Sequence, residues 1–186
     1  MYIYKEIESI LNNVCKPNFS VLEIGGVKGG YLSSRQDISL IVSNINEKED
    51  IDIVIDATNI PLKAESQDLI FMVAADYFIK DIEKAHKEFS RVLREGGHLI
   101  IASYKEETLT HLKDVNKKTY NIESYVYSEN DYVTRLKSNG LTVEVKNIIN
   151  NPPSSLIKRI VWFLLPRNKK ITRSPWKIYI CQKKND

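Results

Sequence analysis

The residues of this chain that could do chemistry stand at the ends of its apolar runs. Asp56 closes IDIVID (51–56), Asp76 and Tyr77 follow LIFMVAA (69–75), and Glu23 stands directly before paired glycines in VLEIGGVKGG (21–30). Carboxylates placed this way can take up a proton or accept a ligand's hydrogen bonds, and glycines let the backbone turn tightly and come close to a ligand. Other chemistry is excluded. Cys15 and Cys181 are too few for a disulfide framework, and His86, His98 and His111 lack metal-ligand spacing, so a reduced compartment and no metal are expected.

The elements that must position these residues are legible between Ile51 and Ile101, which reads strand, turn, strand, helix, glycine stop, strand. Runs that are apolar on both alternating faces suit parallel strands covered on both sides. Between Asp81 and Leu93 the period changes, and Ile82, Ala85, Phe89, Val92 and Leu93 fall on one helical stripe. Gly96 and Gly97 are expected to stop that helix, and HLIIAS (98–103) to form the next buried strand. Such short connections imply right-handed crossovers and an open α/β sheet. Ser128 with Asp131, and Gly140, bound a further helix bearing Tyr132, Val133 and Leu136; LTVEVKNI and WKIYICQKK then close as antiparallel strands. Tyr120, Tyr125 and Tyr127, between helices, either cover a core edge or line a substrate pocket. The opening MYIYKEIESILNNV reads as an amphipathic helix and not as a signal peptide, which implies a cytoplasmic location.

DATNIPLKAESQDLIFMVAADYFIKDIEKAHKEFSRVLREGGHLII resembles the core of the class I S-adenosylmethionine-dependent methyltransferases of the small-molecule branch, through the order and spacing of Asp56-Ala57, Ile60-Pro61-Leu62, Asp68, Asp81 and RVLREGG. VLEIGGVKGG resembles the family's cofactor loop, and YSENDYVTRLKSNGLTVEV its last helix and following strand, so the likeness runs from Phe19 to Val145. It implies a Rossmann-like, seven-stranded, mostly parallel sheet of order 3-2-1-4-5-7-6, with the last strand antiparallel and helices on both faces. It also implies a cofactor, S-adenosyl-L-methionine, held by Glu23, Gly25, Gly26, Gly29, Asn44, Asp56, Ala57 and Ala74. Asp56 would accept from the adenine amino group and the next amide would donate to the ring; the other role for Asp56 is to cap the turn before Pro61. Lys28 is a candidate partner for the cofactor carboxylate or a solvent-facing lysine. Asp76 as base and Tyr77 as substrate-facing hydroxyl are the catalytic candidates, with helix cap and packing residue as their other roles.

Three positions depart from the family pattern. Val27 replaces the middle glycine of the loop and must adopt an ordinary backbone conformation. Asn44 or Asn46 stands where an acidic residue would bind ribose hydroxyls; an asparagine can still accept from one and donate to the other. Between Gly30 and Asp37 there is space for about two helical turns, so the first crossover helix is expected to be shortened or absent.

With 186 residues and 42% hydrophobic content the chain suits one domain, 1–186. Its net charge of +3 is uneven: from Asn151 onward nine Lys or Arg face only Asp186. Residues 151–175 read as a basic, apolar insertion between the last two strands, whose apolar helix of about a dozen residues is too short to span a bilayer, which takes ~20 residues. The segment 155–173 suits a lid or packing helix, or a homodimer contact; alternatively it would lie on an anionic membrane surface at the inner face, and nucleic acid is disfavoured. The expected activity is O- or N-methylation of a small-molecule substrate, with a sugar or lipid-linked intermediate as one option. The rival is a non-catalytic binding or scaffold subunit of the same fold, favoured by Val27, Asn44 and the short crossover and opposed by Glu23, Asp56-Ala57 and the glycines.

Overall fold

The computed structural model of the chain describes residues 2–47, 49–148 and 174–185; the expected insertion at 151–175, including the 155–173 segment, falls almost wholly outside them. Helix α1 (Tyr2–Val14) forms because Ile3, Ile7, Ile10 and Leu11 recur at helical spacing and bury one face, while Lys5, Glu8 and Ser9 stay exposed. Strands β1 (Ser20–Ile24), β2 (Ser39–Asn44), β3 (Ile53–Val54), β4 (Gln67–Val73) and β5 (Leu93–Tyr104) pair in parallel. Strand β7 (Trp176–Lys183) runs antiparallel between β5 and β6 (Leu141–Asn147). The sheet order is β3-β2-β1-β4-β5-β7-β6, as the resemblance implied.

Helices α2 (Ile82–Val92) and α4 (Glu129–Ser138) cover one face, where Phe89 and Leu136 pack with Ile24, Ile70, Met72 and Tyr179. On the other face α1 packs Ile7 and Leu11 against Phe71, Ile100 and Ile178. Asp81 caps α2 by accepting from the Lys84 amide at 3.0 Å, and Ser128 caps α4 by accepting from the Asp131 amide at 3.2 Å. Helix α3 (Glu106–Val115) follows β5 and ends in a wide turn, Asn116–Tyr120.

Two expectations about these elements are corrected, and the expected loss of the first crossover helix is met. Gly96 and Gly97 do not stop α2, which ends at Val92 as Leu93 turns extended. They sit inside β5 in a bulge: Gln67 pairs with Leu93 and Leu69 with His98, so four residues of β5 face Asp68 alone. Gly96 has φ +70°, and a Cβ on Gly97 would come within 2.8 Å of the Arg94 carbonyl. IDIVID supplies only a two-residue edge strand, with Ile53 and Val54 exposed and Ile55 alone buried among its hydrophobics. The first crossover has no helix, since residues 25–38 form turns and bends, and Leu32 from this stretch is fully buried in the core beneath α1.

Side chains fasten the strand starts and the turn before β4. The Asp68 carboxylate accepts from the Ser20 amide at 2.8 Å and pairs with Arg94 in the β5 bulge. On α2, Glu88 accepts from the Ile60 amide, while Arg91 donates to the carbonyls of Ile60 and Leu62, each at 2.9 Å, and pairs with Glu88. This clamp holds the stretch that follows Asp56. Arg91→Ala should cost about 2 kcal/mol, because it strands two carbonyls and a half-buried carboxylate. A urea midpoint unchanged from wild type would refute that role.

Candidate functional site

Strand order reverses between β1 and β4, and open α/β sheets take ligands outside the carboxyl ends of their strands at such a point. A cavity of about 710 Å³ opens there. Gly25 after β1, Asn44 at the end of β2, Asp56 and Ala57 after β3, and Ala74 after β4 all line it. These are five of the residues expected to hold a cofactor. Glu23, Gly26 and Gly29 belong to the adjoining loop and do not line the cavity.

The loop is built around one buried carboxyl. Glu23 ends up 5% exposed, with Oε2 lacking a hydrogen-bond partner, and burial pushes its carboxyl up to about 7. Gly26 and Gly30 make room for it: a Cβ on Gly26 would stand 2.6 Å from the carboxyl, and one on Gly30 would stand 3.3 Å from Oε1. Gly25 serves a different contact. Its φ is +74°, and a Cβ there would meet the Ala75 side chain at 2.5 Å, so only glycine lets the β1 and β4 ends approach this closely. Across that contact Ala74 is itself left-handed, at φ +53°, an unusual backbone for alanine and one that clusters at functional sites.

The ribose-side and adenine-side candidates are partly engaged with the protein. Asn44 donates to the Gly26 carbonyl at 3.3 Å and accepts from the Asn46 amide at 3.2 Å, so it braces the loop while lining the cavity beside Asn46. Asp56 accepts from the Thr58 amide at 2.8 Å through Oδ1, so it caps its turn and faces the cavity at once. Lys28 pairs with Asp52 at 2.7 Å and is not among the lining residues. Val27 keeps negative φ, as a β-branched residue requires.

Asp76 and Tyr77 lie behind the cavity wall. Asp76 is 3% exposed and accepts from the Ser103 hydroxyl at 2.8 Å, and burial pushes its carboxyl up to about 6, against the lowering effect of that bond. Tyr77 is buried too, which raises its phenol well above the usual range. They belong to the turn Asp76–Phe78, whose third residue does line the cavity. The roof was missed from sequence. Ile122 and Glu123 close the cavity from the stretch after α3, which is tied down by the Tyr125 amide on the Tyr77 carbonyl at 2.7 Å and the Tyr127 hydroxyl on the Ile79 carbonyl at 2.9 Å. The tyrosine cluster was its one signal; Tyr125 and Tyr127 fasten the roof, and neither is a lining residue.

A sequence profile of the family described as "Methyltransferase domain" matches residues 36–101. A malonyl-[acyl-carrier protein] O-methyltransferase of Methylococcus capsulatus is 41% identical over 61 residues, which span 33% of this chain and 22% of that protein. Among solved structures, the YcgJ protein of Bacillus subtilis superposes with a TM-score of 0.70 at 15% identity, covering 98% of this chain and 100% of the other. An S-adenosylmethionine-dependent methyltransferase of Mesorhizobium loti superposes at 0.71 with 12% identity, covering 94% and 96%. The fold is that of the class I S-adenosylmethionine-dependent methyltransferases.

The Glu23 carboxyl makes the loop pH-sensitive. Its ordinary value is 4.5 and its folded value about 7, so its contribution to stability is complete below the first and is lost as pH rises through the second. Glu23→Gln should therefore match wild type in urea at about pH 4 and exceed it by about 3 kcal/mol near pH 8. A difference that stays constant with pH would show that the carboxyl is not buried uncharged.

Proposed function

We propose that the protein transfers the methyl group of S-adenosylmethionine to an oxygen or nitrogen of a small-molecule acceptor. The observation that carries this is the convergence of Gly25, Asn44, Asp56, Ala57 and Ala74, from four strand ends, on one cavity at the point where the strand order reverses. The residues present fit the cofactor. The cavity would take a nucleoside between Asn44 or Asn46 on the ribose side and Asp56 with the Ala57 amide on the adenine side. Gly25 and Ala74 would hold the amino-acid end, and Glu23, with its unpartnered oxygen, supports the loop from below.

When bound, the cofactor supplies an activated sulfonium methyl donor, so the protein's work is placement and exclusion of water. Gly25 and Ala75 bring the ends of β1 and β4 together at the cavity, and Phe78, Ile79 and Ile122 wall it with apolar surface. Asp76 acts by anchoring the Asp76–Phe78 turn to β5 through Ser103. The rival reading, a scaffold subunit without cofactor, draws on the turns that replace the first crossover helix.

Calorimetric titration with S-adenosylhomocysteine separates the two. Wild type should bind, and Asp56→Ala should bind ~10-fold more weakly through loss of one charge-assisted hydrogen bond. No heat from wild type up to millimolar ligand would sink the enzyme reading.

Contact with an anionic membrane through residues 155–173, or pairing of two copies there, belongs to the same proposal and rests on the basic composition of that stretch. Among the described residues no helix is long and apolar enough to cross a membrane. Flotation with anionic vesicles should succeed at low salt and fail at high salt; failure at low salt would remove the membrane contact.

A further inference from the structure

The cavity occupies the β1, β2 and β3 side of the reversal point. On the other side, at the same edge of the sheet, the chain places aromatic rings. Tyr104 ends β5 and Trp176 begins β7; they pair in register, and their ring centroids lie 4.1 Å apart. Tyr77 stands 5.8 Å from Tyr104 and 4.4 Å from Phe78, which lines the cavity, so the rings form an unbroken path from the cavity to Trp176. Tyr4 of α1 stacks on Tyr31 at 5.2 Å, and Tyr31 packs edge-on to Phe71 beneath. The two groups share one support, since Tyr31 and Trp176 both pack against the apolar cluster of Phe71, Ile100, Ala102 and Ile178.

Packing alone does not explain this arrangement. Tyr4 is 61% exposed and Phe78 is 42% exposed, while Tyr31, Tyr104 and Trp176 are half-buried. One buried carboxyl adjoins the rings: Glu23, paired in register with the Phe71 that lies beneath Tyr31, keeps Oε2 without a partner. Ring faces are electron-rich, and with a carboxyl oxygen beside them they favour a cation. The chain already uses this attraction on the opposite face of β7, where the Lys177 ammonium stands 5.0 Å over the Tyr179 ring.

We infer that the surface formed by Tyr4, Tyr31, Phe78, Tyr104 and Trp176 is the acceptor subsite and that its ligand is an alkylamine, held as the ammonium and released as the methylated ammonium. The inference rests on the methyltransferase reading for its chemistry, though not for its binding. A bound ammonium first gives its proton to solvent. The freed nitrogen pair then bonds to the methyl carbon as the carbon–sulfur bond breaks, its electrons staying on sulfur, so one proton and S-adenosylhomocysteine leave per turnover.

Choline and its neutral isostere 3,3-dimethyl-1-butanol test the subsite by calorimetry, with and without saturating S-adenosylhomocysteine. Choline should saturate and bind at least ~5-fold tighter than the isostere. Tyr104→Leu should weaken choline ~5-fold or more and leave S-adenosylhomocysteine affinity unchanged, whereas Tyr104→Phe, which keeps the ring, should bind choline as wild type does. Equal affinity for the two probes, no choline binding, or indifference to both Tyr104→Leu and Tyr31→Leu overturns the inference. Absence of S-adenosylhomocysteine binding would sink the methyltransferase reading alone, because choline is also titrated against the cofactor-free protein.

Discussion

One buried carboxyl organises the functional end of this protein. Glu23 is carried below the loop by β1, and everything above it must make room, which is why Gly26 and Gly30 carry no side chain. The loop then has one way to lie. It binds the Ser43 carbonyl through the Gly26 amide, is braced by Asn44, and turns back at Gly29, whose amide donates to the Ser33 hydroxyl. Removing the carboxyl from water costs the protein something at neutral pH, and the fold tolerates that cost where a ligand is to sit.

From that loop the constraint passes to the end of β4. A side chain on Gly25 would collide with that of Ala75, and the neighbouring Ala74 takes a left-handed conformation. The following turn is then fixed from three directions: Asp76 on Ser103, the Tyr125 amide on Tyr77, and the Tyr127 hydroxyl on Ile79. One continuous set of contacts therefore runs from β1 through β4 and β5 to the roof. The cavity and the aromatic surface lie on its two sides.

Much of this was legible in the residues. The apolar runs and the change of period at Asp81 located β4, α2 and the inner part of β5, because burial on both faces and a helical stripe each leave a pattern. Gly25 and the Asp56-Ala57 pair could be placed through their resemblance to the family's cofactor motifs. Other features depend on partners distant in the chain. Gly96 and Gly97 resemble a helix stop until β4 is set beside them and they become a bulge facing Asp68. Asp76 resembles a base until Ser103, 27 residues on, accounts for one of its oxygens. Ile122 and Glu123 have no pattern of their own, and only the folded chain brings them over the cavity.

The missing crossover helix also bears on how the two halves of the sheet are held. The β4, β5, β7 side lies between helices, whereas on the β2, β3 side turns fill the crossover, and Ile45, Ile53 and Val54 remain exposed. That half has unfilled apolar capacity, and Ile45 and Ile55 lie on the cavity wall. An adenosine seated there would complete a core that the chain leaves short. Part of its binding energy would then be spent tightening β2 and β3, so affinity and local order at this edge would rise together.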